Sequence, residues 1–331
     1  HTYSGVLKTF ATGDQRVIPR VQWQVFTRTG TNHLMAISGL HITLVSSLVF
    51  GIFFWLWRCS ALLIFYLPAR RAAVIAGLIA AFSYAVLAGF AIPAQRAFYM
   101  LAVVAIAIWK GSLTSSSSIL AWALLLVVLI DPWAALSPGF WLSFGAIAII
   151  MFVTMGRIGQ LHWLNGWLRV QWAITLGLAP LLLVLFQQVS LVSPIANAIA
   201  IPLVSLVVVP LTLLATIPLF DFMLPLAHSV LSVVMTFLYW LSDLPLAVWH
   251  QHAPPAWTVL LAVIGIFWIL LPGSLGIGFF AGFPARWLSI FAILPMFLVT
   301  PPKPLAGELW VTILDVGQGL AVVVRTKNHS L

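Results

Sequence analysis

Long apolar runs, interrupted by Pro, Gly and short polar groups, fill the chain from residue 34 to residue 300. A helix crossing the hydrocarbon core of a bilayer needs about 20 mostly apolar residues. Runs of that kind lie near 34–57, 72–92, 97–109, 114–130, 136–155, 170–186, 193–218, 222–240, 256–272 and 281–300. The pattern predicts an all-α, polytopic transmembrane bundle of about ten helices, with 97–109 short and the region of Pro194, Pro202 and Pro210 broken.

The ends read differently. Residues 1–32 are mixed in polarity, and Val21, Val25 and Arg28 fall on one helical side, which predicts a short amphipathic surface helix leading into the membrane. After Pro301, Pro302 and Pro304, the run Leu309 to Leu314, the turn Gly317-Gln318-Gly319 and the run Ala321 to Val324 read as strand, tight turn and strand. Three regions follow: an extracytoplasmic lead-in at 1–32, a membrane domain at 33–300, and a linker with the start of a further domain at 301–331. With no initiator Met, and an end inside an apolar-polar stretch, the chain is expected to be a fragment.

Composition makes lipid the main solvent: of 331 residues, 63% are hydrophobic and only 6% charged, against about 25% charged in ordinary soluble domains. The net charge of +9 suits either a polyanionic partner or loops that set orientation. If the segment before the first span lies outside, the inner loops hold Arg58, Arg70, Arg71, Lys110, Arg157, Arg169 and Arg286 against one acid, Asp221. That asymmetry predicts both ends facing away from the cytoplasm. The single cysteine, Cys59, allows no disulfide within the chain.

Polar residues at membrane depth are costly, so where they stand they mark function or paired packing. Thr31 to Ile42 contains His33, Ser38 and His41 at the start of a span. On one continuous helix Ser38 and His41 would be neighbours, and the two histidines would differ by about 80° around the axis. Three readings stay open there: hydrogen bonding between helices, a Ser-His nucleophile pair of an intramembrane hydrolase, and the lining of a transport path. Gln95 and Arg96 follow Pro93 in a break near the outer face; Arg96 reads as a phosphate fork or a snorkelling anchor. The stretch Pro138 to Phe144, with Ser143, and the stretch from Pro194 through Asn197 to Pro210 read as interrupted helices, which line cavities or kink for packing. No metal site, P-loop or dinucleotide motif can be assembled from the sequence, so no cofactor is expected in the fragment and ATP-driven transport by the chain alone is disfavoured.

Taken in order, these stretches resemble the ComEC competence family, polytopic proteins that bring transforming DNA across the bacterial inner membrane as a single strand. The resemblance rests on Gly13-Asp14, Thr29-Gly30-Thr31, His33-Leu34, Ala36 to Ile42, Gln95-Arg96-Ala97, Pro138 to Phe144, and Asn197 through Ser205. It implies a DNA channel in the inner membrane, with His33, Ser38, His41, Gln95, Arg96, Ser143 and Asn197 along the path. It also implies single-stranded DNA and the bilayer as partners, together with DNA-uptake machinery proteins and a cytoplasmic helicase or ATPase, and it leaves room for a homo-oligomer. A multi-pass transporter of a smaller solute on the same scaffold is the alternative. The turn Asp315, Gly317, Gln318, Gly319 looks like the opening of a metallo-β-lactamase-like α/β domain, whose remainder would bring a divalent metal and nuclease chemistry. Two departures stand out: Leu320 where the family usually has Asp, and Trp141 where Gln is common.

Overall fold

The computed structural model describes residues 2–35, 37–90, 92–111, 115–154, 163–271, 285–300, 302–314, 319 and 321–329. Fifteen helices and four short strands follow one another along these residues. The lead-in forms α1 (Ser4–Thr12), α2 (Arg20–Thr29) and the single turn α3 (Asn32–Met35). Then come α4 (Gly39–Arg58), α5 (Ala61–Tyr66), α6 (Ala69–Leu87), α7 (Ile92–Lys110), α8 (Ser116–Ile130), α9 (Pro138–Thr154) and α10 (Trp163–Phe186). Strand β1 (Gln188–Ser190) precedes α11 (Ser193–Leu203), a π-helical segment Val204–Val208 and α12 (Val209–Leu214). Helix α13 (Met223–Ser242), strand β2 (Val248–His250), α14 (Ala256–Leu270), α15 (Ser289–Leu298) and the strands β3 (Trp310–Leu314) and β4 (Ala321–Arg325) complete the order.

Among the described residues six helical segments are long and apolar enough to cross a membrane: α4, α6, α7, α10, the continuous run Ser193–Leu214, and α13. Four shorter apolar helices, α8, α9, α14 and α15, stand at the other four expected positions. At 1.5 Å per residue, helices of 10–17 residues are shorter than a hydrocarbon core of about 30 Å. Most side chains of the long helices are not buried within the protein, and the exposed ones include many Leu, Ile, Phe and Trp, as lipid permits. The protein is therefore a multi-pass helical membrane protein.

Three expectations need correction. The break expected at Pro93 to Arg96 lies earlier: Gly89 and Phe90 take left-handed backbone (φ 68° and 49°), while Pro93, Gln95 and Arg96 sit inside the first turns of α7. Proline is accommodated there because a first-turn N–H has no intrahelical partner to lose. The first span does not begin at residue 34, since Ser38 caps α4 and leaves His33 on α3, so positions 33 and 41 share no helical wheel. Lastly, the lead-in is not a separate surface helix. Its apolar side chains Val6, Leu7, Phe10, Val25 and Phe26 are buried in one cluster with Ala200, Val204, Val208, Leu231 and Met235 of the later helices. On α2 the expected single face divides: Val21 is 62% exposed and Val25 5%. Arg28 Nε donates to the Ser242 carbonyl at the end of α13 (2.8 Å), which fixes α2 to the bundle.

The prolines expected to break the chain between residues 193 and 218 leave it helical but shift its register. Pro202 and Pro210 donate no backbone hydrogen bond, and the π segment lies between them, with Ser205 buried inside it. Strands β1 and β2 pair antiparallel, Gln188 opposite His250, and Ser190 Oγ donates to the Arg28 carbonyl, so this hairpin clamps the end of α2. Strands β3 and β4 pair antiparallel, Trp310 opposite Arg325, where the two strands are expected; the residues of the expected turn, Gly319 apart, lie outside the described ones.

Candidate polar site at the helix starts

The polar residues singled out above stand at or beside the N-terminal ends of α4, α7, α9 and α11; the fold brings the start of α7 against those of α4 and α9, and the start of α11 against the Gly30 turn. Close approach is possible because small residues sit at the crossings. Gly39 at the start of α4 lies so near α7 that a Cβ there would stand 3.2 Å from the Ala97 methyl. Gly139 at the start of α9 faces Arg96, where a Cβ would stand 3.0 Å from Nη2. Gly30, with φ 69°, faces α11, where a Cβ would come within 2.8 Å of Ser193 Oγ. At Gly30 both the backbone conformation and the space require glycine.

Asn197 hydrogen-bonds the Gly30 carbonyl. Asn197 Nδ2 donates to it at 3.4 Å and to Ser193 Oγ at 2.9 Å. The amide orientation follows from those two acceptors, and it leaves Oδ1 buried with no partner among the described residues. The His33 side chain is exposed. Surrounding protein atoms lower its pKa from the ordinary 6.5, and the Gly30 backbone opposes that shift. Thr29 and Thr31 hydroxyls, 2.9 Å apart and fully buried, fix the turn from below.

Ser38 and His41 form a reciprocal cap. Ser38 Oγ accepts from the His41 backbone N–H and His41 Nδ1 accepts from the Ser38 N–H, both at 3.4 Å. Since Nδ1 is an acceptor, the neutral ring carries its proton on Nε2, which is buried and has no partner among the described residues. Neither ring nitrogen is bonded to Ser38 Oγ, so the nucleophile–base pair of a hydrolase is not assembled. The His41 ring meets Phe10 edge-on, with centroids 5.8 Å apart. Phe10 is held in turn by Tyr84, whose hydroxyl donates to the Phe10 carbonyl at 3.2 Å.

Arg96 is 6% exposed, and its Nε and Nη1 are buried without a hydrogen-bond partner among the described residues. Ser143, one turn beyond Gly139, lies on the same face of α9. Trp141 donates its indole N–H to the Ala135 carbonyl at 2.8 Å and so braces the start of α9. Gln95 closes the turn before α7, donating to the Phe90 carbonyl at 2.7 Å, and stands apart from the rest. Asp315, Gly317 and Gln318 lie outside the described residues; Gly319, between β3 and β4 in the sequence, has φ 135°. No group of three His, Cys, Asp or Glu that would hold a metal ion occurs among the described residues.

Sequence reasoning missed Ser193, Phe10 and Tyr84. Phe10 offers no signal, because an aromatic in an amphipathic lead-in reads as an interfacial side chain. The glycine of Gly13-Asp14 is explained by contact: it ends α1 with φ 75° and presses on α6, where a Cβ would stand 2.7 Å from the Ala88 carbonyl.

Fold and site together define a multi-pass helical membrane protein with buried His41, Arg96 and Asn197 at the starts of three of its helices. The family model for competence proteins matches residues 10–275, and the chain belongs to that family. It is 36% identical to competence protein ComA of Neisseria gonorrhoeae, over 99% of this chain and 45% of that protein. It is 30% identical to the uncharacterized protein YcaI of Escherichia coli, over 100% of this chain and 44% of that protein. Recombination protein 2 of Haemophilus influenzae is 29% identical, over 60% of this chain and 26% of its own length. The chain thus spans less than half the length of these relatives. No solved structure matches it.

Proposed function

We propose that this chain is the membrane conduit through which single-stranded DNA passes into the cytoplasm during DNA uptake, in the inner membrane of a bacterium. One observation carries the reading. The starts of α4 and α7 meet at Gly39 and Ala97, those of α7 and α9 at Gly139 and Arg96, and α11 starts against the Gly30 turn; each is the positive end of a helix dipole, and none of the four carries an acidic residue in its first turn. Broken helices whose N-termini point at an anionic substrate are a recurring device of membrane transport. A polyanion fits a site of uncompensated positive ends and one cation; a metal ion or a cationic solute does not.

The opposite ends of these helices support an orientation. Arg58, Arg70, Arg71 and Lys110 lie at the C-termini of α4 and α7 and the N-terminus of α6, with Arg58 over the Phe54 ring and Arg71 over the Trp109 ring. Lys and Arg concentrate on the cytoplasmic face. With that end inside, the polar site opens outward, toward arriving DNA, and both ends of the chain lie outside. The strand is driven by proteins outside this chain: uptake proteins on the outer side, and a helicase or ATPase in the cytoplasm.

Deleting the gene for the full-length protein tests the reading. Cells exposed to labelled double-stranded DNA should still hold it at their surface but accumulate no nuclease-resistant label in the cytoplasm. Undiminished cytoplasmic label in the deletion strain contradicts the proposal.

A further inference from the structure

We infer that Arg96 and the N-terminus of α9 form a buried oxyanion site that takes one phosphate group at a time. The inference rests on the conduit reading only for the source of that phosphate; the site itself stands on geometry.

Two independent features meet there. The first is the helix end. Residues Pro138–Thr154 form α9. Ser137 precedes it, and the Ser137 oxygens accept from the Phe140 N–H at 3.1 Å (carbonyl) and 3.3 Å (Oγ). Pro138 has no N–H. Gly139 carries an N–H with no acceptor among the described residues, and no acid stands in the first turn to neutralise the end.

The second feature is the Arg96 guanidinium, nine-tenths buried, with Nε and Nη1 unpartnered and Nη2 lying against Gly139. A buried cation at the positive end of a helix, with no carboxylate bonded to it, is unfavourable by itself. An oxyanion between the two reverses the balance: it accepts from the guanidinium fork, from the Gly139 N–H, and from the Ser143 hydroxyl one turn along. Glycine at 139 leaves the approach open, since any side chain there would press on Nη2. Arginine suits the site better than lysine because its planar fork matches two phosphate oxygens at once.

A phosphate can come from solution or from a nucleic acid backbone, and the test separates the sources. The full-length protein in lipid nanodiscs is unfolded thermally, followed by tryptophan fluorescence, in sodium phosphate or in sodium chloride of equal ionic strength. Parallel samples contain a short oligothymidylate or its uncharged methylphosphonate analogue. Phosphate should raise the unfolding midpoint of the parent by several degrees beyond chloride. Arg96→Met should lose that response, Arg96→Lys should keep part of it, and Gly139→Val should weaken it while retaining the charge. Without phosphate, Arg96→Met should unfold at the same or a higher temperature than the parent, because a buried unpaired charge has been removed. A merely structural arginine would lower the midpoint instead.

If the phosphodiester oligonucleotide acts as phosphate does and the methylphosphonate does not, the group bound is a backbone phosphate. If free phosphate acts and the oligonucleotide does not, the oxyanion site stands and the conduit reading fails. A parent that responds no more to phosphate than to chloride overturns the inference, as does an Arg96→Met variant that responds like the parent.

Discussion

Replacing Arg96 by Met is expected to cut the transfer of labelled DNA into the cytoplasm by about 10- to 100-fold while leaving surface-bound DNA unchanged. A hydrogen bond to a charged partner contributes about 1.5–3 kcal/mol, and each 1.4 kcal/mol is worth about a factor of ten. The effect is large because Arg96 is the one cation among the four helix starts that is buried, and its Nε and Nη1 have no acceptor of their own among the described residues. Arg96→Lys should fall between, retaining charge without the fork. The measurement is nuclease-protected label in spheroplasts, scored beside total bound label. Unchanged protection in Arg96→Met would remove the residue from the path.

Phe10→Ala should produce the largest loss of stability. The ring is fully buried, meets the His41 imidazole edge-on, and belongs to the cluster that joins the lead-in to the helices beyond residue 190. Truncating a buried phenylalanine costs about 3–5 kcal/mol, since packing is lost and a cavity remains. Here the cavity lies beside His41 and removes the ring that orients it, so DNA transfer should fall along with the thermal midpoint. A surface substitution on the same helix, Thr12→Ala, should change neither. If Phe10→Ala unfolds like the parent, the lead-in is not part of the bundle.

How far the sequence foretold this arrangement depends on which physical rule each element obeys. The ten apolar helices were legible because the bilayer admits few alternatives, and each run of apolar residues became one helix. Boundaries were less so. Pro93 looked like a breaker, yet it sits in a first turn where proline has nothing to lose, and the true turn falls at Phe90, a residue with no propensity for left-handed backbone. Ser38 read as a possible nucleophile, and its position as the cap of α4 shows only in the structure.

The chemistry of the site was legible residue by residue, since a His, Arg or Asn in an apolar chain stands out. That Gly39 meets Ala97, and Gly139 meets Arg96, was not, because contacts between distant glycines leave no periodic signature. The small residues carried the missing information. They mark where helices come close enough for polar side chains of different spans to share one space.

The central claim, that these helix starts line a hydrated path for DNA, is tested most directly at Ser143. Cys59 is the only cysteine of the chain and is exposed, so Cys59→Ser gives a thiol-free background with little structural change. In that background, Ser143→Cys should react with a charged, membrane-impermeant methanethiosulfonate added from outside, and DNA held in transit should block the reaction. Leu260→Cys, on the outward face of α14 (63% exposed), should stay unreactive in lipid. A Ser143→Cys thiol that does not react, or that reacts equally with and without DNA, would contradict the account.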